Sequence, residues 1–333
     1  MPVLAEPTSG LRVGGALART TVAAYDAIVR DVPAGLEPDL VVRVGDMPTS
    51  KPLRAWLSAP RAPETLVIAT PGRWNDPARR AAAIVSGDPA ATLREAAAAV
   101  DGPAGSDQWN EDWAAAERAA QVAIEGLAGV DSALSEPALA RAFGQTIADG
   151  EQALLGSSMP VRDAEAFFAV RELDARVYSN RGANGIDGSI STACGLALDS
   201  RRPTWALLGD LATAYDMGAL ASVACLPDGA PLLLVVADNG GGRIFEFLPQ
   251  AGQVERERFE RLFLTPAALD FEALAGLFGL RYVRIAHHRE LAGVTRDRST
   301  LIHVPLREAA AANVELHREI AATVGAAVAG AIG

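Results

Sequence analysis

Cysteine, histidine and aromatic residues are scarce in this 333-residue chain, and acids outnumber bases; each shortage closes a class of function. The two cysteines, Cys194 and Cys225, stand thirty-one residues apart inside apolar segments, which excludes a disulfide framework. Both read as core thiols of a reducing, cytoplasmic protein. Four histidines (His287, His288, His303 and His317) fall at no zinc-binding spacing, so a zinc centre is not expected. With aromatics at 5%, the cores must rest on aliphatic residues and alanine. A formal net charge of −11 argues against a nucleic-acid binder, which needs a basic face, but leaves room for an anionic ligand held by a few local cations. No basic stretch followed by an apolar one opens the chain, so no signal peptide is expected. The Ala/Gly/Val tail after Thr323 is too short for a membrane span and reads as a terminal helix.

What is present is an alternation of strands and helices. A chain of this length allows about two domains, and with half of its residues hydrophobic it can fill their cores. Residues 1–10 read as a strand lacking the units that would precede it. A helix over 17–30, a strand over 38–46, a helix over 51–58, a strand over 64–70 and a connector over 77–87 follow. Strands alternating with helices imply a parallel α/β layer. From 88 to 155 the pattern is mostly helical, interrupted by a Gly/Pro/Asp break at 101–109 that sets a domain boundary between 104 and 105. Ser135 is placed to cap a helix whose first turn holds Glu136 and Pro137. Further strands are expected near 154–157, 176–179, 204–209, 231–237, 281–285 and 300–304, with helices at 163–174, 188–199, 213–225 and 270–278 between them.

Two of these strands end alike. The run from Leu232 to Ala237 is apolar enough for a strand buried on both faces, and stops in Asp238-Asn239-Gly240-Gly241-Gly242. The strand at 204–209 stops in Gly209-Asp210-Leu211 and leads into a helix. Either ending alone reads as a tight turn. Together, twenty-nine residues apart, Asp210 and Asn239 stand one strand–helix–strand crossover from each other, on the same edge of a sheet. A carboxylate, an amide oxygen and the Gly241 carbonyl form an all-oxygen set suited to Mg²⁺, whose open positions phosphate oxygens fill. The glycines would let backbone approach the ligand, and the helix opening near Leu211 would add N–H groups for a diphosphate.

A Gly-Asp followed at this interval by Asp-Asn resembles the diphosphate–metal motif of thiamine-diphosphate enzymes. The flanks "YSNRGANGIDGSISTACGLAL" (178–198), "GDLATAYDMGAL" (209–220) and "DNGGGRIFEFLP" (238–249) resemble one family of them, the menaquinone-pathway 2-succinyl-5-enolpyruvyl-6-hydroxy-3-cyclohexene-1-carboxylate synthases. "PVLAEPTSGLR" (2–12), "MPTSKPL" (47–53) and "GSSMPVRD" (156–163) are similar to the middle and pyrophosphate-binding domains of that family. The resemblance implies α/β parallel-sheet domains of thiamine-diphosphate-enzyme type: a partial middle domain over 1–104 and a pyrophosphate-binding domain over 105–333.

It further implies a role for named residues. Asp210, Asn239 and the Gly241 carbonyl would hold Mg²⁺ (or Mn²⁺), with Gly209 and Leu211 beside the diphosphate. Ile186 would wedge the cofactor into a bent form that brings its 4′-amino group to the thiazolium C2. Lys51, Ser158, Arg162 and Arg181 would contact anionic substrate, and Ile244, Phe245 and Leu248 would wall the reacting carbons, with Ile186 and Phe245 nearest the chemistry. Pro52 stands where some members carry a second basic residue. The implied reaction is decarboxylation of 2-oxoglutarate and 1,4-addition of the resulting succinic semialdehyde carbanion to isochorismate.

Members of this family also carry a pyrimidine-binding domain, whose glutamate activates the cofactor, and they dimerise. No segment of this sequence matches that domain. The chain therefore reads as the C-terminal portion of the architecture, working as a homo-oligomer with a pyrimidine domain that is either supplied by another chain or encoded outside this sequence. The alternatives are a decarboxylase–ligase of acetolactate-synthase type and a non-catalytic remnant or assembly partner.

Overall fold

The structure, a computed structural model, describes every residue except 16–18, 61, 101, 103–105, 183, 184 and 333. The expected boundary between 104 and 105, and the start of the expected helix at 17, lie outside the described residues. The chain is α/β, and among the described residues its strands form three all-parallel sheets.

The opening segment pairs β1 (Val3–Leu4) with β2 (Thr21–Val22) before a single helical turn, α1 (Tyr25–Ile28). The helix expected over 17–30 is thus a strand and one turn. Thr21 and Val22 are β-branched and buried, and pairing with β1 outweighs their helical spacing. A small sheet follows, from β3 (Leu40–Val44), α2 (Lys51–Ser58), β4 (Glu64–Ala69) and β5 (Ala81–Ser86), in the order β3-β4-β5. β5 replaces the connector expected at 77–87. Its alanines have little strand propensity of their own, and it exists through pairing with β4. Three helices come next: α3 (Pro89–Ala99), α4 (Asp107–Ala128) and α5 (Glu136–Thr146). Ser135 caps α5 as expected, its Oγ accepting the Ala138 N–H at 3.3 Å.

The remaining elements are β6 (Gln152–Leu155), α6 (Met159–Phe167), β7 (Arg176–Ser179), α7 (Ser189–Ser200), β8 (Thr204–Gly209), α8 (Asp210–Asp216), β9 (Leu232–Asp238), α9 (Arg256–Phe259), α10 (Phe271–Leu277), β10 (Arg281–Arg284), β11 (Thr300–Pro305) and α11 (Asn313–Ile332). They build a six-stranded sheet in the order β10-β11-β9-β8-β6-β7. Apolar side chains alternate between its faces: Leu155, Leu207, Val235 and Ile302 on one, Leu154, Leu208, Leu234 and Leu301 on the other. Helices cover both, which is why β9 is buried along its whole length.

Two expected helices shift. α6 spans 159–167 rather than 163–174. Pro160 favours an early start, and residues 171–173 instead bond the backbone of the opening segment, Arg171 N to Arg12 O at 2.7 Å and Leu173 N to Val13 O at 2.8 Å. The helix expected at 213–225 is α8 followed by 3₁₀ turns over Met217–Cys225.

Residues 22–36, grouped by sequence with the small sheet, pack beyond it as well as on α2. Tyr25, Ile28 and Leu36 share a buried cluster with Trp113 and Ile124 of α4 and with Ile320, Val324 and Val328 of α11. Among the described residues no helix is long and apolar enough to cross a membrane.

Candidate active site

After β6 the chain passes to β7 on one side and returns to β8 on the other, so the order of the sheet reverses between β6 and β8. Parallel sheets of this kind open a crevice beyond their carboxyl ends at such a reversal. β8 and β9 are adjacent and in register, Gly209 opposite Ala237, which puts Asp210 and Asn239 on that edge.

The side chain of Asp210 reaches across to the turn after β9. Its Oδ2 accepts the N–H groups of Gly240 at 3.1 Å and Gly241 at 2.8 Å, and its Oδ1 accepts that of Leu211 at 2.8 Å. Burial nevertheless raises its pKa above the ordinary carboxyl range, with Asp238 adding to the effect. Asn239 is buried, and its Oδ1 has no hydrogen-bond partner. The Gly241 carbonyl accepts the Arg243 N–H at 2.8 Å, leaving a second lone pair. An acid, an orphaned amide oxygen and a half-used carbonyl therefore lie along one turn, a donor set that fits a hard divalent cation. Among the described residues, no cluster of three or more His, Cys, Asp or Glu competes as a metal centre.

The glycines have a nearer cause than ligand approach. Gly241 has φ +116°, and a Cβ there would sit 2.1 Å from the Leu264 carbonyl oxygen. One at Gly242 would meet the Phe263 carbonyl oxygen at 2.5 Å. The turn is pressed against backbone 263–266. Asp238 is committed to internal pairs, with His303 Nε2 at 3.1 Å and Arg307 Nε at 2.9 Å. Burial pushes its pKa up, but the hydrogen bonds from His303 and Arg307 and the charge of Arg307 outweigh that and hold it below the ordinary range.

The candidate cations lie on α2, on α6 and just after β7. Lys51, the only lysine in the sequence, opens α2. Ser50 starts that helix, its Oγ accepting the Leu53 N–H at 3.1 Å and donating to Asp26 Oδ1 at 2.6 Å. Ser158 sits at φ +72°, unusual for a residue with a Cβ and a form of strain that collects at functional sites. Its carbonyl accepts from Arg162 Nη1 at 2.7 Å. Burial lowers the Arg162 pKa, and the charges of Arg181 and Arg54 lower it further. Arg162, Arg181 and Arg54 thus crowd together against electrostatic preference, the condition in which an anion is welcome.

Other expected residues are placed less tellingly. Ile186 is half-buried and packs on the core that includes Cys194 and Leu208. Ile244 and Phe245 lie in a 3₁₀ turn, Arg243–Phe247, where Phe245 meets Phe263 edge-on at 5.6 Å. Leu248 is exposed. None of these three belongs to the cluster on which Ile186 packs.

Sequence reasoning missed a buried polar group beneath the metal-suited turn. Glu136, Asp163 and Asn239 line a cavity of about 20 Å³ with Gly209 and Pro160. Burial, then the charge of Asp163, raises the Glu136 pKa to about 8. Burial also raises that of Asp163, whose Oδ1 lies 3.3 Å from His317 Nε2. In the sequence Glu136 is an ordinary first-turn acid, and nothing local marks it as buried. Arg54 was missed too, although it follows Lys51 by three residues on one helix face. A larger cavity of about 470 Å³ lies by β10, lined by Arg281, Arg289 and Glu290, away from all expected residues.

No family model matches the chain. A protein of Bacillus velezensis named 2-succinyl-5-enolpyruvyl-6-hydroxy-3-cyclohexene-1-carboxylate synthase is 36% identical over 285 residues, covering 84% of this chain and 48% of that protein. Proteins of the same name from Myxococcus xanthus and Sorangium cellulosum are 36% and 37% identical over 332 and 341 residues. The chain is a relative of this synthase family. Each of the last two alignments covers 98% of the chain, so the likeness to the synthases runs through both larger sheets. The chain spans about half the length of the curated synthases it matches.

Proposed function

We propose that this chain is the metal- and diphosphate-binding portion of a 2-succinyl-5-enolpyruvyl-6-hydroxy-3-cyclohexene-1-carboxylate synthase of menaquinone biosynthesis, acting in the cytoplasm on 2-oxoglutarate and isochorismate. The observation that carries this reading is the reach of Asp210 to the Asn239–Gly241 turn at the carboxyl edge of β8 and β9. In it, Asp210, Asn239 and the Gly241 carbonyl hold Mg²⁺ (or Mn²⁺), and Gly209 and Leu211 lie beside the diphosphate of thiamine diphosphate. The bound cofactor supplies the carbanion equivalent and electron sink that decarboxylation of a 2-oxo acid requires. Arg162 and Arg181, with Lys51 and Ser158, take the substrate carboxylates. The strained Ser158 backbone and its bond to Arg162 fix where that guanidinium points. Ile186, Ile244, Phe245 and Leu248 exclude water from the reacting carbons.

Residues 1–104 then form part of a middle domain, whose opening segment packs across onto α4, α6 and α11, and residues 105–333 form the pyrophosphate-binding domain. The active assembly also needs a pyrimidine-binding domain, and it is homodimeric. The length of the relatives, about twice that of the aligned stretch, supports the need for a further domain.

Titration calorimetry tests the metal assignment. The chain is expected to bind thiamine diphosphate only with Mg²⁺, and Asp210→Ala to abolish the metal-dependent part. Unchanged affinity in the variant would sink the assignment. Mixed with a pyrimidine-domain chain, the protein is expected to consume 2-oxoglutarate and isochorismate together. Cofactor binding with no turnover in that mixture would favour an assembly partner.

A further inference from the structure

The connection from β7 to α7 carries Arg181 at its start and Ile186 near its end, and both of its feet are tied down. Asn180 Nδ2 donates to Thr192 Oγ1 at 3.1 Å, and that hydroxyl donates to the Gly188 carbonyl at 2.8 Å. Helix α7 itself opens without a local cap. Its N-cap residue is Gly188, which has no side chain to accept from the first turn. The acceptor comes instead from a residue remote in the chain. Asp216 Oδ2 accepts the N–H groups of Ile190 at 2.6 Å and Ser191 at 3.0 Å.

Asp216 is the last residue of α8, and an acid in a last turn opposes the dipole of its own helix. Its favourable partner is the positive end of α7. The first residue of α8 is Asp210, whose carboxylate accepts the Gly240 and Gly241 N–H groups in the metal-suited turn. The two acids stand about 9 Å apart along the helix axis, at the ordinary rise per residue. One short helix therefore holds the β9 turn at one end and the first turn of α7 at the other. Residues 185–188, which lead into that first turn, carry Ile186. Its side chain is half-buried and packs on the cluster that includes Ile190 of α7 and Ala212 of α8. We infer that Asp216 is a positioning residue for the proposed cofactor site: by fastening the first turn of α7 to the helix that begins with Asp210, it sets where Ile186 stands relative to the metal-suited turn. Its carboxylate acts through α7 and touches neither metal nor cofactor. Removing it leaves Asp210 with all three of its N–H donors, so the diphosphate end of the site is kept while the apolar end is released.

This inference rests on the cofactor reading above, and the test separates the two. Titration calorimetry on the full chain compares two ligands in excess Mg²⁺, thiamine diphosphate and inorganic pyrophosphate. The second has the diphosphate and none of the rings that Ile186 would meet. The wild-type chain is expected to prefer thiamine diphosphate. Asp216→Ala is expected to weaken thiamine diphosphate about 10-fold, the worth of partly burying one isoleucine side chain, and to leave pyrophosphate affinity unchanged. Asp216→Asn keeps an acceptor oxygen and is expected to restore most of the preference. Ile186→Ala is expected to lose the same preference, and the double variant to lose no more than Ile186→Ala alone, because both changes remove one contact. Wild-type affinities in Asp216→Ala overturn the positioning role. So does an equal loss for both ligands, which would mean disrupted packing of α7 on α8, and so does an additive loss in the double variant. A wild-type chain that binds the two ligands alike leaves the metal site standing and overturns the inference, since Ile186 then adds nothing to be positioned. A wild-type chain that binds neither overturns the cofactor reading and this inference with it.

Discussion

Glu165 of α6 shows how a single buried acid couples this fold to pH. Its Oε1 accepts from the Tyr25 hydroxyl, its Oε2 has no partner, and burial raises its pKa to about 7 even with Arg12 nearby. The folded state therefore holds this proton more tightly than the unfolded chain does. The stability it confers is complete below the ordinary glutamate range and is lost as pH rises towards 7. Glu136, raised to about 8, acts in the same direction. Glu165→Gln removes one of these dependences. Urea unfolding should show the variant about 2 kcal/mol more stable than wild type at pH 8, with little difference at pH 4.5. An equal offset at both pH values would mean that Glu165 is not protonated on folding. Residues of this kind carry no sequence signature. Asp210 and Asn239 could be found because they end two strands at crossover spacing, whereas Glu165 and Glu136 sit in ordinary amphipathic helices and are buried by segments remote in the chain.

At the scale of elements, the glycine turn after β9 joins strand to site. Gly241 tolerates no Cβ, both for its φ of +116° and for the Leu264 carbonyl oxygen 2.1 Å from where one would lie. Gly241→Ala is expected to destabilise the fold by about 3 kcal/mol, from backbone strain and steric overlap together. The measurement is the midpoint of chemical denaturation, and a shift under about 0.5 kcal/mol would show that residues 263–266 move aside freely. Strands such as β8 and β9 were legible because both faces are buried and the run is continuously apolar. α5 was legible from Ser135 at its cap and a proline in the first turn. What failed depended on a distant partner. β5 exists through β4, β2 through β1, and residues 171–173 leave the helical path for the backbone of Arg12 and Val13.

For the whole molecule, the two ends of the chain meet on α4 and α6, which ties the site to both. Arg12, fully buried, gives its donors to the carbonyls of Ala5, Ala164, Glu165 and Phe168, closing the last turn of α6, the helix that carries Arg162. From the other end α11 lays Ile320, Val324 and Val328 against Trp113, Ala120 and Ile124. It then sets Asn313 on Glu136, and its His317 stands 3.3 Å from Asp163. The sequence showed a terminal helix too short to span a bilayer; that it closes the core could be seen only once its partners were in place. Val324 has no exposed surface, so Val324→Asp buries a charge with no partner. A loss of about 4 kcal/mol is expected, enough to remove much of the stability of an ordinary domain. If α11 is part of one cooperative unit with the six-stranded sheet, circular dichroism and the fluorescence of buried Trp205 should report the same lowered melting temperature. If the helix merely rests on the surface, Trp205, packed against Phe143 of α5 in the core on the sheet, would melt as in the wild type while helical signal alone is lost.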